Sequence, residues 1–183
     1  FDGVSFHAYD YYKASLGNYS NSNWQSSWDT TGTVTIAKAR FLKQVLANYG
    51  VTGKYLMNTE SAILCDWCND TYGLGDTYQA TKAAYVVQVN AAAMAEGLKA
   101  NVWYSLWGWH YSEMFRGTGP TYALNAFAFE RSIIGNADFV RAITQYPGVL
   151  GYVFTYNGKT IWLMWGNSTT TRTVALPSAP SNV

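Results

Sequence analysis

Three short stretches carry side chains able to do chemistry on a ligand. Residues 54–60, KYLMNTE, form an apolar, strand-like run that ends in the carboxylate of Glu60 just before polar loop sequence. Period-two alternation predicts Leu56, Asn58 and Glu60 on one side of that strand and Tyr55, Met57 and Thr59 on the other. Residues 2–9 alternate as well, with Val4, Phe6 and Ala8 facing one way and Ser5, His7 and Tyr9 the other. Residues 101–107 align Trp103, Ser105 and Trp107, and bring Trp107 beside Gly108, Trp109 and His110. A carboxylate at the carboxyl end of a parallel strand stands where open sheets and barrels place their reactive groups. A phenol such as that of Tyr9 is a suitable donor to it. The competing expectation is structural: His7 and Tyr9 as packed strand residues, and the tryptophans as core.

The elements that must hold these groups are legible in the spacing. From Thr35 to Tyr49, apolar residues at Ile36, Ala39, Leu42, Val45, Leu46 and Tyr49 recur at threes and fours, with Gly50 as the stop. A second helix is predicted over about residues 78–96, with a small-residue face of Ala80, Ala83, Ala84 and Ala91 and Gly97 at its end. Pro120 fits the first turn of a third helical region reaching about residue 144, split near residues 135–138 so that about 138–145 forms a short helix of its own. Strand, helix, strand in succession favours a parallel sheet. Residues 10–33 read as a long loop in which Trp24 and Trp28 form part of a lid or binding wall.

The tail changes class. Residues 151–156 and 159–165 flank Asn157-Gly158, a strong signal for a two-residue hairpin turn, and residues 172–176 are a candidate third strand. Two regions are expected: 1–147, of β/α units, and 148–183, an antiparallel β segment with a linker.

Composition narrows the ligand. The 183 residues include 15 Tyr, 8 Trp and 8 Phe, while charged residues make up only 13%. Such a surface suits uncharged, hydroxyl-rich ligands better than phosphates. Formal charge is +1 without a Lys/Arg cluster, which argues against a nucleic-acid partner. No apolar run approaches membrane-spanning length, and no glycine-rich phosphate loop is present, so neither a membrane partner nor a nucleotide cofactor is expected. His7 and His110 lie in separate segments and do not space with Cys65 and Cys68 as a recognised zinc set, so no metal is expected. The C-x-x-C of Cys65 and Cys68 is expected to be a loop-pinning disulfide, a redox motif being the alternative. With acceptor-type sequons at Asn18, Asn69 and Asn167, it favours a secreted or extracytoplasmic protein. The carboxylates Asp66, Asp70, Asp76 and Glu113 are taken as solvated loop residues, and Glu96 and Glu130 as surface or capping-related residues of helices.

The His7-x-Tyr9 pattern, the Thr59-Glu60-Ser61 triplet and the aromatic end of residues 101–107, in that order, resemble the last three β/α units of the retaining glycoside hydrolases built on a (β/α)8 barrel. That resemblance implies an α/β fold made of the C-terminal portion of a TIM barrel, strands 6 to 8, followed by the opening strands of a small β-sandwich. It implies hydrolysis of O-glycosidic bonds by double displacement, with Glu60 as nucleophile, Tyr9 and His7 as catalytic companions, and an aromatic platform at Trp107, with Trp109 or Trp103 as further candidates, binding a poly- or oligosaccharide. Asn58, on the Glu60 side of its strand, and Trp28, in the long loop, are further candidate binding residues by position alone. The family's acid/base belongs to the fourth strand, which nothing in these residues supplies. A whole barrel has eight strands and about 250 residues, so a missing N-terminal half or a self-association partner is expected, and the chain reads as starting mid-domain at Phe1. The alternative reading is a non-catalytic carbohydrate-binding or degenerate glycosidase-like domain.

Overall fold

The computed structural model describes residues 1–22, 24, 32–68, 76–117, 119–166 and 171–181. Trp28, Asp70, the side chain of Asp76 and the sequons at Asn69 and Asn167 lie outside the described residues. The chain is a mixed α/β protein. Strands β1 (Gly3–Tyr12), β2 (Tyr19–Ser20), β3 (Tyr55–Leu64) and β4 (Ala100–Trp103) form one sheet in the order β2-β1-β3-β4. β1, β3 and β4 are parallel neighbours, and β2 pairs antiparallel on the outer edge of β1.

Helices α1 (Val34–Asn48) and α2 (Asp76–Ala95) are the connections between the parallel strands, and α3 (Tyr122–Ile134) packs on α2. All three therefore lie on one face of the sheet. Tyr12 and Ile63 are buried there with Tyr78, Tyr85 and Val89 of α2. Gly50 and Gly97 adopt φ of +67° where α1 and α2 end, a left-handed conformation that glycine reaches without Cβ strain. Both stops are the ones the sequence predicts.

Asp10 shows how strand and helix are tied. The Thr33 side chain makes no capping bond, and instead Asp10 Oδ2 on β1 accepts from the Val34 N–H at 2.9 Å and from the Tyr85 hydroxyl at 2.9 Å. Burial pushes the Asp10 carboxyl up from the usual 3.8 to about 6, against the opposing pull of those two bonds. A raised folded value means stability that is full below the unfolded value and is lost as pH rises through about 6, on the order of 3 kcal/mol. Asp10→Asn is expected to flatten the stability profile between pH 4 and pH 7, measured by urea unfolding. An unchanged slope would contradict this account of Asp10.

The remaining strands, β5 (Phe115–Arg116), β6 (Gly119–Pro120), β7 (Asp138–Ala142), β8 (Val149–Tyr156) and β9 (Lys159–Gly166), are antiparallel. The β8–β9 hairpin turns through Asn157 (φ 49°) and Gly158 (φ 71°), as the dipeptide predicts. This sheet packs Phe154, Tyr152, Ile161 and Leu163 against Ala91, Met94 and Ile134 of the helices.

Four expectations are corrected. Residues 138–142 are strand, not helix: five residues are too few to hold a helix alone, whereas β8 offers them a ladder. Residues 172–176 form no strand; the tail runs past the start of β8, where the Tyr146 hydroxyl donates to the Ala175 carbonyl oxygen at 2.6 Å. Pro120 belongs to β6, and α3 begins two residues later at Tyr122. β4 stops at Trp103, short of the run predicted to reach Trp107.

Candidate active site

β1 and β3 bring His7, Tyr9 and Glu60 together on the face of the sheet opposite the helices. The register explains how. Phe6 pairs with Asn58, but His7 pairs with Glu60, so β3 carries one extra residue, Thr59, as a bulge. Asn58 therefore faces α1, where its amide lies 3.3 Å from Thr35 Oγ1, while Glu60 faces the open side with His7. The simple alternation that groups Asn58 with Glu60 is overturned by this bulge. β3 also continues to Leu64, so Glu60 sits inside the strand rather than at its end.

The Tyr9 hydroxyl donates to Glu60 Oε2, and His7 Nδ1 stands 3.2 Å from the same oxygen. Among the described residues, Oε1 takes no protein hydrogen bond. The carboxylate side chain is about one-third exposed, at 32%, so one oxygen is held and the other is left toward solvent. Burial, then the hydrogen bond to Glu60 and its charge, raise Tyr9 above the ordinary phenol range. Its proton thus stays available as a donor at neutral pH.

An aromatic wall continues from this group. Trp109 packs on Tyr9 with ring centres 5.2 Å apart, and Tyr104 packs edge-on against Trp109 at 4.9 Å. His110 lies against Trp109 at 4.5 Å and meets Asp66 through Nδ1 at 2.6 Å. The Cys65–Cys68 disulfide closes the turn that carries Asp66, and the Cys65 N–H donates to the His110 carbonyl oxygen at 3.0 Å. The loops that follow β3 and β4 are thereby fastened to each other beside the carboxylate.

Trp107 is exposed and stacks on Phe115 with ring centres 5.4 Å apart. With His110, Glu113 and Arg116 it lines an open hollow of about 360 Å³. No contact joins it to the Glu60 group among the described residues. Two expected binding residues are placed elsewhere. Trp103 is half-buried against the core: its Nε1 donates to the Ser112 carbonyl oxygen at 2.9 Å and its ring meets Tyr85. Asn58 is fully buried on the helix side of the sheet.

Other residues were not legible in the sequence. Lys82 on α2 is fully buried and donates to the carbonyl oxygens of Tyr111 (3.0 Å) and Glu113 (2.8 Å), anchoring the loop after β4. Burial lowers its ammonium to about 8. Glu113, expected in solvent, is only 4% exposed and lies 4.0 Å from Lys82 Nζ. Glu130, expected on a helix surface, is buried against Asn90. Tyr104 carries no motif, and only its place after β4 makes it part of the wall.

No group of three or more His, Cys, Asp or Glu able to hold a metal occurs among the described residues, and none of their helices is long and apolar enough to cross a membrane. Comparison with protein-family models, with curated proteins and with solved structures found no match to the chain.

Proposed function

We propose that Glu60 is the nucleophile of a retaining glycoside hydrolase acting on a poly- or oligosaccharide, with Tyr9 orienting it and Trp109 and Tyr104 forming a wall of the sugar site. The observation that carries this reading is the divided environment of one carboxylate: Oε2 is engaged by Tyr9 and His7, while Oε1 takes no hydrogen bond among the described residues. A nucleophile that must form a covalent bond to an anomeric carbon needs this arrangement, one oxygen fixing the plane and the other attacking. A phenol that keeps its proton stabilises the ionised carboxylate through Oε2 and leaves Oε1 sterically open to attack.

Double displacement requires a second carboxyl group about 5 to 5.5 Å from the first, to protonate the leaving oxygen and then activate water. The partners of Glu60 among the described residues are a phenol and an imidazole. We assign the acid/base to polypeptide that closes the open face of the sheet. This reading takes the sequentially ordered parallel strands, with α1 and α2 as their connections, as part of a (β/α) barrel, an architecture that would supply such a closing surface. On this reading a monomer of these residues alone has half of the mechanism. The disulfide and the sequon at Asn18, which is exposed, support an exported protein.

The test separates nucleophile from acid. A 2-deoxy-2-fluoro glycoside with a dinitrophenolate leaving group needs no protonation to depart, and its fluorine slows hydrolysis of the covalent adduct. The assembled protein, incubated with a panel of such glycosides, is expected to gain the mass of one glycosyl unit per chain with at least one member. A stoichiometric noncovalent complex without any adduct would instead favour a carbohydrate-binding domain that does no chemistry.

A further inference from the structure

We infer that Asn58 is a positioning residue: its buried amide holds the β3 bulge and so turns Glu60 to the open face of the sheet. The bulge is the step on which the whole site depends. Shifting a strand by one residue sends each following side chain to the opposite face. Without the extra residue at Thr59, Glu60 would follow Leu56 and Asn58 toward the helices, away from His7 and Tyr9.

A bulge leaves backbone carbonyl groups without ladder partners, and a buried unpaired carbonyl costs about 1–3 kcal/mol. Asn58 meets that need. With its amide turned so that the nitrogen faces β1 and β3, that nitrogen donates to the carbonyl oxygens of Glu60 at 2.8 Å and of Phe6 at 3.1 Å, on the two strands either side of the irregularity. Only a primary amide offers two donors and an acceptor in so small a volume. Thr59 Oγ1 adds a longer contact to the Phe6 oxygen, at 3.4 Å.

The amide is itself fixed from behind. Asn58 lies 2.7 Å from Asn101 on β4, the amides of Asn101 and Asn90 approach to 2.8 Å, and Asn90 lies 3.1 Å from Glu130 Oε2 on α3. A polar chain thus runs between the sheet and the helices, through β3, β4, α2 and α3, inside otherwise apolar packing. With the Asn58 nitrogen turned to the two carbonyls its oxygen faces the Asn101 amide, which must turn as well to donate to it, so the orientations along this chain are set together. None of these residues touches the open face, so their role toward Glu60 is one of position.

The test reads the location of Glu60 and needs no turnover, so it can fail while the hydrolase reading stands, and the reverse. In the full chain, Glu60→Gln is expected to shift the His7 imidazole nitrogen resonances, because His7 Nδ1 is 3.2 Å from Glu60 Oε2. In an Asn58→Leu background that response is expected to be lost. A folded N58L protein whose His7 still responds to E60Q would overturn the proposal, since a role in stability alone lowers Tm and leaves the response intact. Should N58L not fold, the wild-type protein decides. A through-hydrogen-bond coupling from the Asn58 side-chain nitrogen to the Glu60 carbonyl carbon is expected, and its absence would equally overturn the assignment.

Discussion

Glu60→Gln is expected to reduce glycoside turnover by the assembled protein by on the order of 10⁴-fold or more, the scale on which removal of a covalent nucleophile acts. The substitution keeps the shape of the side chain, and the amide oxygen still accepts the Tyr9 hydroxyl. What is lost is the charge and with it the ability to form a glycosyl ester. Because the Glu60 side chain is partly exposed and the amide keeps its shape, Tm should stay within a few degrees of wild type. A loss of activity with an intact fold therefore reports chemistry. Glu60→Ala gives a complementary signature. The space it leaves admits azide, which should restore turnover of an activated glycoside and yield the glycosyl azide of inverted configuration. A retained-configuration product from E60A, or E60Q activity near wild type, would remove Glu60 from the nucleophile's role.

Tyr9→Phe should cost about 10²-fold in kcat/KM, comparable with removing one hydrogen-bond donor from a charged centre in an active site. Here the ring remains, so its packing on Trp109 survives and the change isolates the hydroxyl. The hydroxyl also has a spectroscopic signature that does not require substrate. Tyr9 is held above the ordinary phenol range by burial first, and then by its bond to Glu60 and the charge of that carboxylate. The Glu60→Gln protein lacks the charge, so Tyr9 should ionise at lower pH than in wild type while remaining above an exposed tyrosine, because burial persists. Carbon-13 labelled tyrosine followed by NMR through alkaline pH measures both. An unchanged Tyr9 titration in E60Q would mean that the two groups do not interact in solution.

The parts of this architecture that depend on neighbouring residues could be read from the sequence, and the parts that depend on distant backbone could not. Gly50, Gly97 and the Asn157-Gly158 turn mark ends that local φ requirements impose, and the structure has them there. The alternation of Ser5, His7 and Tyr9 against Phe6 and Ala8 likewise survives, since β1 pairs continuously along its length apart from the step beside His7. That same step defeated the reading of residues 54–60. A bulge has no signature in a run of seven residues, and it parted Glu60 from Leu56 and Asn58, which face the helices. Residues 138–142 failed for a related reason: their state is decided by β8, a partner the local pattern does not contain. Lys82 is a further case, a lysine within a helical pattern that reads as surface until the loop carbonyls it serves are in place. Trp103 and Trp107, assigned to one face by alternation, parted company because β4 ends between them.

The claim at the centre of this account is that one oxygen of Glu60 attacks a sugar. Proteolysis of the assembled protein after trapping with the 2-deoxy-2-fluoro glycoside panel, followed by sequencing of the labelled peptide, tests it most directly. The glycosyl mass is predicted on Glu60, within the peptide that spans β3. A label on Asp66, Glu113 or any other side chain would contradict it.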